Sequence, residues 1–245
     1  MVVFLFSVGN SSNAFLVLKL DFSGFSTVDI FKDESADATL KTVMESTDSL
    51  DGIVNFAGIM QMGSVAENPV ESMRRIMDIN LLGMYRINRA FLELIRKGQG
   101  RIVNISSEYG TLNAVPFNGF YTTSKHAVET YSDALRRELM FLGVPVIKVR
   151  PGAFQTNMQG NTASTFDKTV KDSTMFPEVL AKMHTMMEKK IGIAKDPVFL
   201  AKKVYKALTL KKPRLVYSAN LNKQQKFMSC LPARLQDMIY YSLFK

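Results

Sequence analysis

Short apolar runs alternate along the chain with stretches in which apolar residues recur every three or four positions. That is the pattern of βαβ units built around a parallel sheet. Val2–Val8 and Phe15–Leu20 read as buried strands, and Asp29–Thr47, rich in Lys, Asp and Glu, as a surface helix. Gly52–Phe56 is a short strand ending in Ala57-Gly58. Pro69–Arg96 carries long helical periodicity, with Leu81, Leu82, Tyr85 and Ala90 expected on its buried side. After the turn Lys97-Gly98-Gln99-Gly100, Arg101–Ser106 reads as a strand closed by Ser106-Ser107. A second long helix is expected over Asn118–Leu142, then a strand at Val144–Val149 stopped by Pro151-Gly152. Thr156–Pro197 is less regular, with helix near Glu178–Lys190. Phe199–Leu210 reads as a basic amphipathic helix, Arg214–Tyr217 as a short strand and Leu235–Leu243 as a last helix. No repeat or linker divides the chain, so a single α/β domain over 1–245 is expected. Within it, 1–20 is an atypical N-terminal part and 153–245 a substrate loop and C-terminal segment.

Composition narrows the function classes. A 47% hydrophobic, 22% charged chain is globular, not a solvated coil. Cys230 is its only cysteine, so no internal disulfide forms, and nothing demands an oxidising compartment; an intracellular setting is expected. One cysteine with two histidines argues against a zinc site, and no metal is expected. Fifteen methionines read as core filler and a flexible apolar pocket. The opening residues carry no positive n-region and are interrupted by Gly9–Asn13, so a strand is favoured over a signal peptide. No run of 18 apolar residues marks a membrane span.

The net charge of +9 is uneven. Residues 168–245 hold 16 Lys and Arg against 5 Asp and Glu, whereas 1–167 hold 15 against 17. Solvated helix faces account for such an excess; an anionic membrane surface or anionic ligand is the sharper alternative. Nucleic acid is not expected, because no nucleic-acid-binding motif accompanies the charge.

The candidate chemistry gathers around Tyr121 and Lys125. Four residues apart on a helix, phenol and ammonium share one face, and the cation is expected to pull the phenol below its free value of about 10. The spacing alone is weak, and Tyr241 with Lys245 repeats it. Context favours Tyr121. Ser107 lies at the carboxyl end of a strand, where open parallel sheets bind ligands. Asn80 sits within a helix it does little to favour. Arg150-Pro151-Gly152 follows the next strand and brings Ala153–Thr156 over the same crevice.

These residues together resemble the short-chain dehydrogenase/reductase family over about Gly52 to Pro151. Asn55-Phe-Ala57-Gly58 is similar to its Asn-Asn-Ala-Gly signature. Asn80, Ser107, Tyr121 and Lys125 resemble its catalytic tetrad, and Pro151-Gly152 with Thr156 its nicotinamide-side loop. Asp21 is similar to the acid that contacts the adenine. Ser124–Glu129, Ser132–Leu139 and Leu231–Met238 resemble the steroid, retinol and hydroxybutyrate dehydrogenase branch. The resemblance implies a Rossmann-like doubly wound parallel sheet and NAD or NADP as cofactor. It implies hydride exchange with a small apolar alcohol or ketone. Tyr121 would move the proton, Ser107 hold the substrate oxygen, Lys125 tune the tyrosine and meet the ribose, and Asn80 extend a proton relay. It also implies a homodimer or tetramer paired through the helices of Asn80 and Tyr121. Asn55 keeps a second reading as a strand-end hydrogen-bonding residue, Asn80 as a satisfied buried amide, and Asp21 as a turn residue.

The N-terminus departs from the family. Its phosphate turn, Thr-Gly-x-x-x-Gly-x-Gly, lets backbone N–H groups reach a pyrophosphate. Here Gly9 is followed by Asn13 and Phe15 at the other glycine positions. Between Val8 and Leu16 there is too little chain for a parallel crossover, which takes about a dozen residues. The first βαβ unit is therefore expected to be incomplete. A shortened dehydrogenase, an impaired binding or regulatory descendant, and a cofactor site rebuilt across a dimer all remain open on this basis.

Overall fold

The computed structural model describes residues 3–6, 15–16, 27–29, 32–155, 166–167, 169–188 and 194–245. In chain order its strands are β1 (Val3–Phe6), β2 (Phe15–Leu16), β3 (Thr27–Val28), β4 (Gly52–Asn55), β5 (Arg101–Ile105), β6 (Val146–Pro151) and β7 (Val216–Ala219). Five of them form the main sheet, all parallel, in the order β1, β4, β5, β6, β7. Register is in step along the middle of the sheet, where Asn55 lies beside Asn104 and Asn104 beside Lys148. Three carboxyl ends thus share one edge of the sheet.

The helices are α1 (Asp33–Met44), α2 (Val70–Met77), α3 (Gly83–Lys97), α4 (Gly119–Leu139), α5 (Pro177–Glu188), α6 (Val198–Thr209), α7 (Lys223–Ser229) and α8 (Ala233–Phe244). Alternation along the strands sends side chains to two layers. Ile53, Ile102 and Val146 face Phe91, Ile95 and Leu139 on one side. Val54, Val103 and Ile147 face Leu200, Val204 and Ala207 of α6 on the other. Strands covered on both faces are near-continuously apolar, as parallel sheets require. Each fully buried aliphatic side chain contributes about 1.5–3 kcal/mol, so these two layers hold the strand ends in place. The fold is the Rossmann-like doubly wound sheet expected of the sequence.

Three expectations need correcting. The run Phe15–Leu20 does not add a strand to the main sheet, because β2 pairs antiparallel with β3 in a separate two-stranded sheet. The first βαβ unit is incomplete as expected: β1 is the edge strand of the main sheet, with no strand beyond it among the described residues. Leu82 and Tyr85 are exposed and Leu81 and Ala90 only partly buried. The inward face carries Ile76, Asn80, Met84, Ile87 and Phe91 instead. A π-helical turn at Asp78–Leu82 joins α2 to α3, and a widened turn breaks the simple period from which a buried face is read. Finally, α7 is a helix where none was expected; Asn222 caps it, its side chain accepting from the N–H groups of Gln224 and Gln225.

Candidate active site

α4 carries Tyr121, Ser124 and Lys125 on one buried face, with relative exposures of 7%, 0% and 3%. The shared face is as expected. The electrostatics are not. Burial, the largest influence, pushes the Tyr121 phenol up to about 12; a hydrogen bond with the Ser107 hydroxyl opposes the rise and the charge of Glu108 adds to it. Lys125 does not offset that rise. Its Nζ is 5.7 Å from the Tyr121 ring centroid and donates to the carbonyl of Ile105 at 3.2 Å. Burial pulls Lys125 itself down to about 8, with Glu129 one helical turn on holding it up. At this buried position the cost of removing a phenolate from water outweighs a nearby cation that is itself poorly solvated.

Asn80 sits in the π-helical turn and is fully buried. Its Oδ1 accepts from the Ile59 N–H at 2.8 Å, and its Nδ2 donates to the Ile59 carbonyl at 3.0 Å and to Ser124 Oγ at 2.9 Å. Ser124 in turn donates to the Tyr121 carbonyl at 2.8 Å. The amide thus clips the loop after β4 to the first turn of α4. A Cβ on Gly58 would stand 3.4 Å from both Asn80 Oδ1 and Lys125 Nζ, so the backbone there comes close enough to touch both groups.

Asn55 is 1% exposed, and its amide bonds Asn88 Oδ1 and Asn104 Oδ1 at 2.8 Å each. Asn104 reaches Ser132 Oγ at 3.0 Å. The side chain of Asn55 is thus engaged in a buried amide chain, and only its backbone faces the loop with Ala57 and Gly58. Ser107 has extended backbone and caps the short turn Glu108–Gly110, its Oγ accepting from the Tyr109 N–H at 3.2 Å. Pro151 ends β6, and Gly152 donates to the Ala219 carbonyl at 2.8 Å. The structure therefore brings Asn80, Ser107, Tyr121 and Lys125 together at the carboxyl ends of β4 to β6. Asp21 and Thr156 lie outside the described residues.

A nucleotide's ribose end fits what is described. An ammonium has three donors, and Lys125 spends one on Ile105. Its remaining donors lie beside Gly58, which has no side chain to exclude a ligand. At the phosphate end, residues 7–14 lie outside the described residues, and Phe15 begins a strand where a helix would follow the family's glycine turn.

The apolar wall is less visible in sequence. Met60, Met73, Met77 and Tyr109 pack around the cluster of Ile76, Phe120 and Tyr121, and Tyr109 meets the Tyr121 ring edge-on at 6.1 Å. Behind α4, Glu129 and Lys148 form a buried pair at 2.8 Å, extended by Arg150 and Asp133 at 2.8 Å each. Sequence reading misses Glu108, Tyr109 and Ser124; their adjacency to Ser107 and Lys125 is the only available signal.

The short chain dehydrogenase family matches residues 21–166. Retinol dehydrogenase 7 of Rattus norvegicus is 34% identical over 232 residues, 87% of this chain and 71% of that protein. The 17-beta-hydroxysteroid dehydrogenase type 6 of Mus musculus is 32% identical over 228 residues, 86% of this chain and 71% of that protein. A short chain dehydrogenase from Burkholderia cenocepacia J2315, solved in complex with NADP, superposes with a TM-score of 0.62 at 20% identity, covering 89% of this chain and 77% of that one. With Asn80, Ser107, Tyr121 and Lys125 gathered at the carboxyl ends of the strands, and with these relatives, the chain belongs to the short chain dehydrogenase family of oxidoreductases.

Proposed function

We infer that the protein interconverts an apolar secondary alcohol and its carbonyl, using NAD or NADP, with Tyr121 as the proton donor and acceptor. The observation that carries this reading is the buried Tyr121 hydroxyl, bonded to Ser107, one helical turn from Lys125 and walled by methionines. Retinoid and steroid substrates are supported by the names of the relatives. The methionine wall supports an apolar occupant, since thioethers adapt to irregular apolar shapes.

NAD or NADP, when bound, supplies or accepts the hydride. Everything else falls to this chain's residues. Tyr121 is protonated at neutral pH and is therefore ready to donate to a carbonyl oxygen that becomes an alkoxide. Ser107 holds that oxygen. Lys125 offers spare donors to a ribose, with Gly58, Ala57 and the backbone of Asn55 beside it. Pro151 and Gly152 close the far side, and Asp21 and Thr156 complete the proposed contacts. As pH rises, Lys125, at about 8, gives up its proton before Tyr121, at about 12.

Self-association through the helices of Asn80 and Tyr121 is supported by exposed Leu82 and Tyr85. Contact with an anionic membrane is supported by Lys202, Lys203 and Lys206 around exposed Phe199 and Tyr205. Equal recovery on neutral and anionic liposomes at low salt would dismiss the latter. The main test is thermal shift with NADH and NADPH, followed by turnover of a retinoid or steroid carbonyl. A stability gain of about 2.7 kcal/mol is expected at 100-fold excess over Kd. No shift with either nucleotide at millimolar concentration would overturn the reading.

A further inference from the structure

Glu108 comes directly after Ser107 and is 7% exposed, yet no salt bridge engages it among the described residues. Its Oε2 accepts from the backbone N–H of Asn222 at 2.6 Å. Asn222 is the cap of α7, so the carboxylate holds the point where the C-terminal segment turns back over the strand ends. The same crossing is fastened to the loop after β6. Asn220, at φ 56°, donates from Nδ2 to the Ala153 carbonyl at 2.6 Å. A Cβ on Gly152 would fall 1.9 Å from the Asn220 carbonyl oxygen and 3.3 Å from Glu108 Oε2.

Beyond this crossing the C-terminal helices reach the apolar wall. Asn113 holds Ser229 and Gln236. Phe244 packs on the cluster of Met62, Phe166, Leu180 and Met183, which Met60 and Phe117 join. Met60 also belongs to the wall beside Tyr121.

We propose that Glu108 is a positioning residue that ties segment 219–245 to the turn bearing Ser107, so that one carboxylate sets the fit of an apolar substrate against Tyr121. This rests on the dehydrogenase reading for the substrate, though the tether itself does not. A desolvated carboxylate whose single described acceptor bond goes to a helix cap has little to hold it except that cap, and charge-assisted bonds of this kind are among the stronger ones. Burial pushes its carboxyl up and the Asn222 N–H opposes the rise, as expected of an acid kept for one contact. The charge of Glu108 reaches Tyr109 and Tyr121, with the Asn222 N–H on its Oε2 and Gly152 beside it.

The test compares Glu108→Leu, which has no acceptor, with Glu108→Gln, which keeps one. Steady-state kinetics with an apolar carbonyl substrate and amide hydrogen exchange over 219–229 are read in both. In Glu108→Leu the substrate KM is expected to rise about tenfold, with kcat and nucleotide Kd within about twofold. The Asn222 amide is expected to exchange at least tenfold faster. Glu108→Gln is expected to restore both to within about threefold. Should the leucine variant not fold, Glu108→Asp draws the charge back by one methylene and is expected to show the same KM rise. The proposal is overturned if Asn222 exchange is unchanged in the leucine or aspartate variant. It is overturned equally if kcat and nucleotide affinity fall together with substrate affinity, the mark of a merely structural residue. Wild type without turnover on any carbonyl would overturn the dehydrogenase reading alone, and the exchange comparison would still decide the tether.

Discussion

The chain holds two tyrosines that stand four residues before a lysine, and the pair in closer contact is the one without a site. In α8, Lys245 Nζ donates to the Tyr241 hydroxyl at 2.7 Å and lies 4.9 Å from its ring centroid, but Tyr241 is 64% exposed. In α4, Lys125 lies 5.7 Å from the Tyr121 ring and bonds a backbone carbonyl instead. Contact between phenol and ammonium therefore does not make an acid/base pair. An exposed ion or hydrogen-bonded pair is worth about 0–1 kcal/mol because water competes for both members. What separates Tyr121 is enclosure, a serine hydroxyl on its oxygen, and a place at the carboxyl ends of the parallel strands.

The largest expected effect breaks the comparison at the phenol. Tyr121→Phe should lower kcat by about 10²–10⁴-fold, the usual share of a general acid, while the thermal shift with nucleotide persists. Tyr241→Phe should stay within about twofold in the same assay. Similar losses in both variants would mean that the wrong tyrosine has been chosen.

The support beneath α4 comes next. Glu129 is held below the usual carboxylate range: burial, the largest influence, pushes it up, but hydrogen bonds from Arg150 and Lys148 prevail. Removing one member of such a buried pair costs about 3–5 kcal/mol, so Glu129→Gln should lose that much in urea unfolding, and Lys245→Met almost nothing. A group with a lowered folded pKa stabilises above its free value of about 4.5 and loses that stability as pH falls through the folded value. Wild type should therefore weaken in acid below about pH 4.5, and Glu129→Gln should show a flatter curve there.

A smaller effect sharpens the electrostatic difference. Glu129 holds the Lys125 pKa up against burial. In Glu129→Gln the lysine should release its proton at lower pH, and a limb of the kcat/KM profile near pH 8 should move acidward. An unmoved limb would show that Lys125 does not govern it.

How far these features can be read in sequence varies with how local their causes are. The strands of Ile53, Ile102 and Ile147 announce themselves, because side chains covered on both faces must be apolar throughout. Ser107, Tyr121 and Lys125 are legible as an ordered set at strand ends and on one helical face. The buried face of α3 is harder, because a widened turn around Asn80 rotates the pattern, and nothing in Asp78–Leu82 spells that turn. Burial of Tyr121 depends on Met60, Met73 and Tyr109 arriving from three separate elements, so its raised pKa is a tertiary property. Glu108 is the clearest case. Its partner, Asn222, is more than a hundred residues away, and an acid after Ser-Ser reads in sequence as an ordinary loop residue.

Position 152 illustrates how a motif residue can answer to more than one demand. Its neighbour across the crossing, the Asn220 oxygen, occupies the space in which any side chain would begin. Alanine there would force apart the two loops that Asn220 and Glu108 hold together. Poor catalysis in a Gly152→Ala enzyme would accordingly report a displaced C-terminal segment before it said anything about nicotinamide recognition.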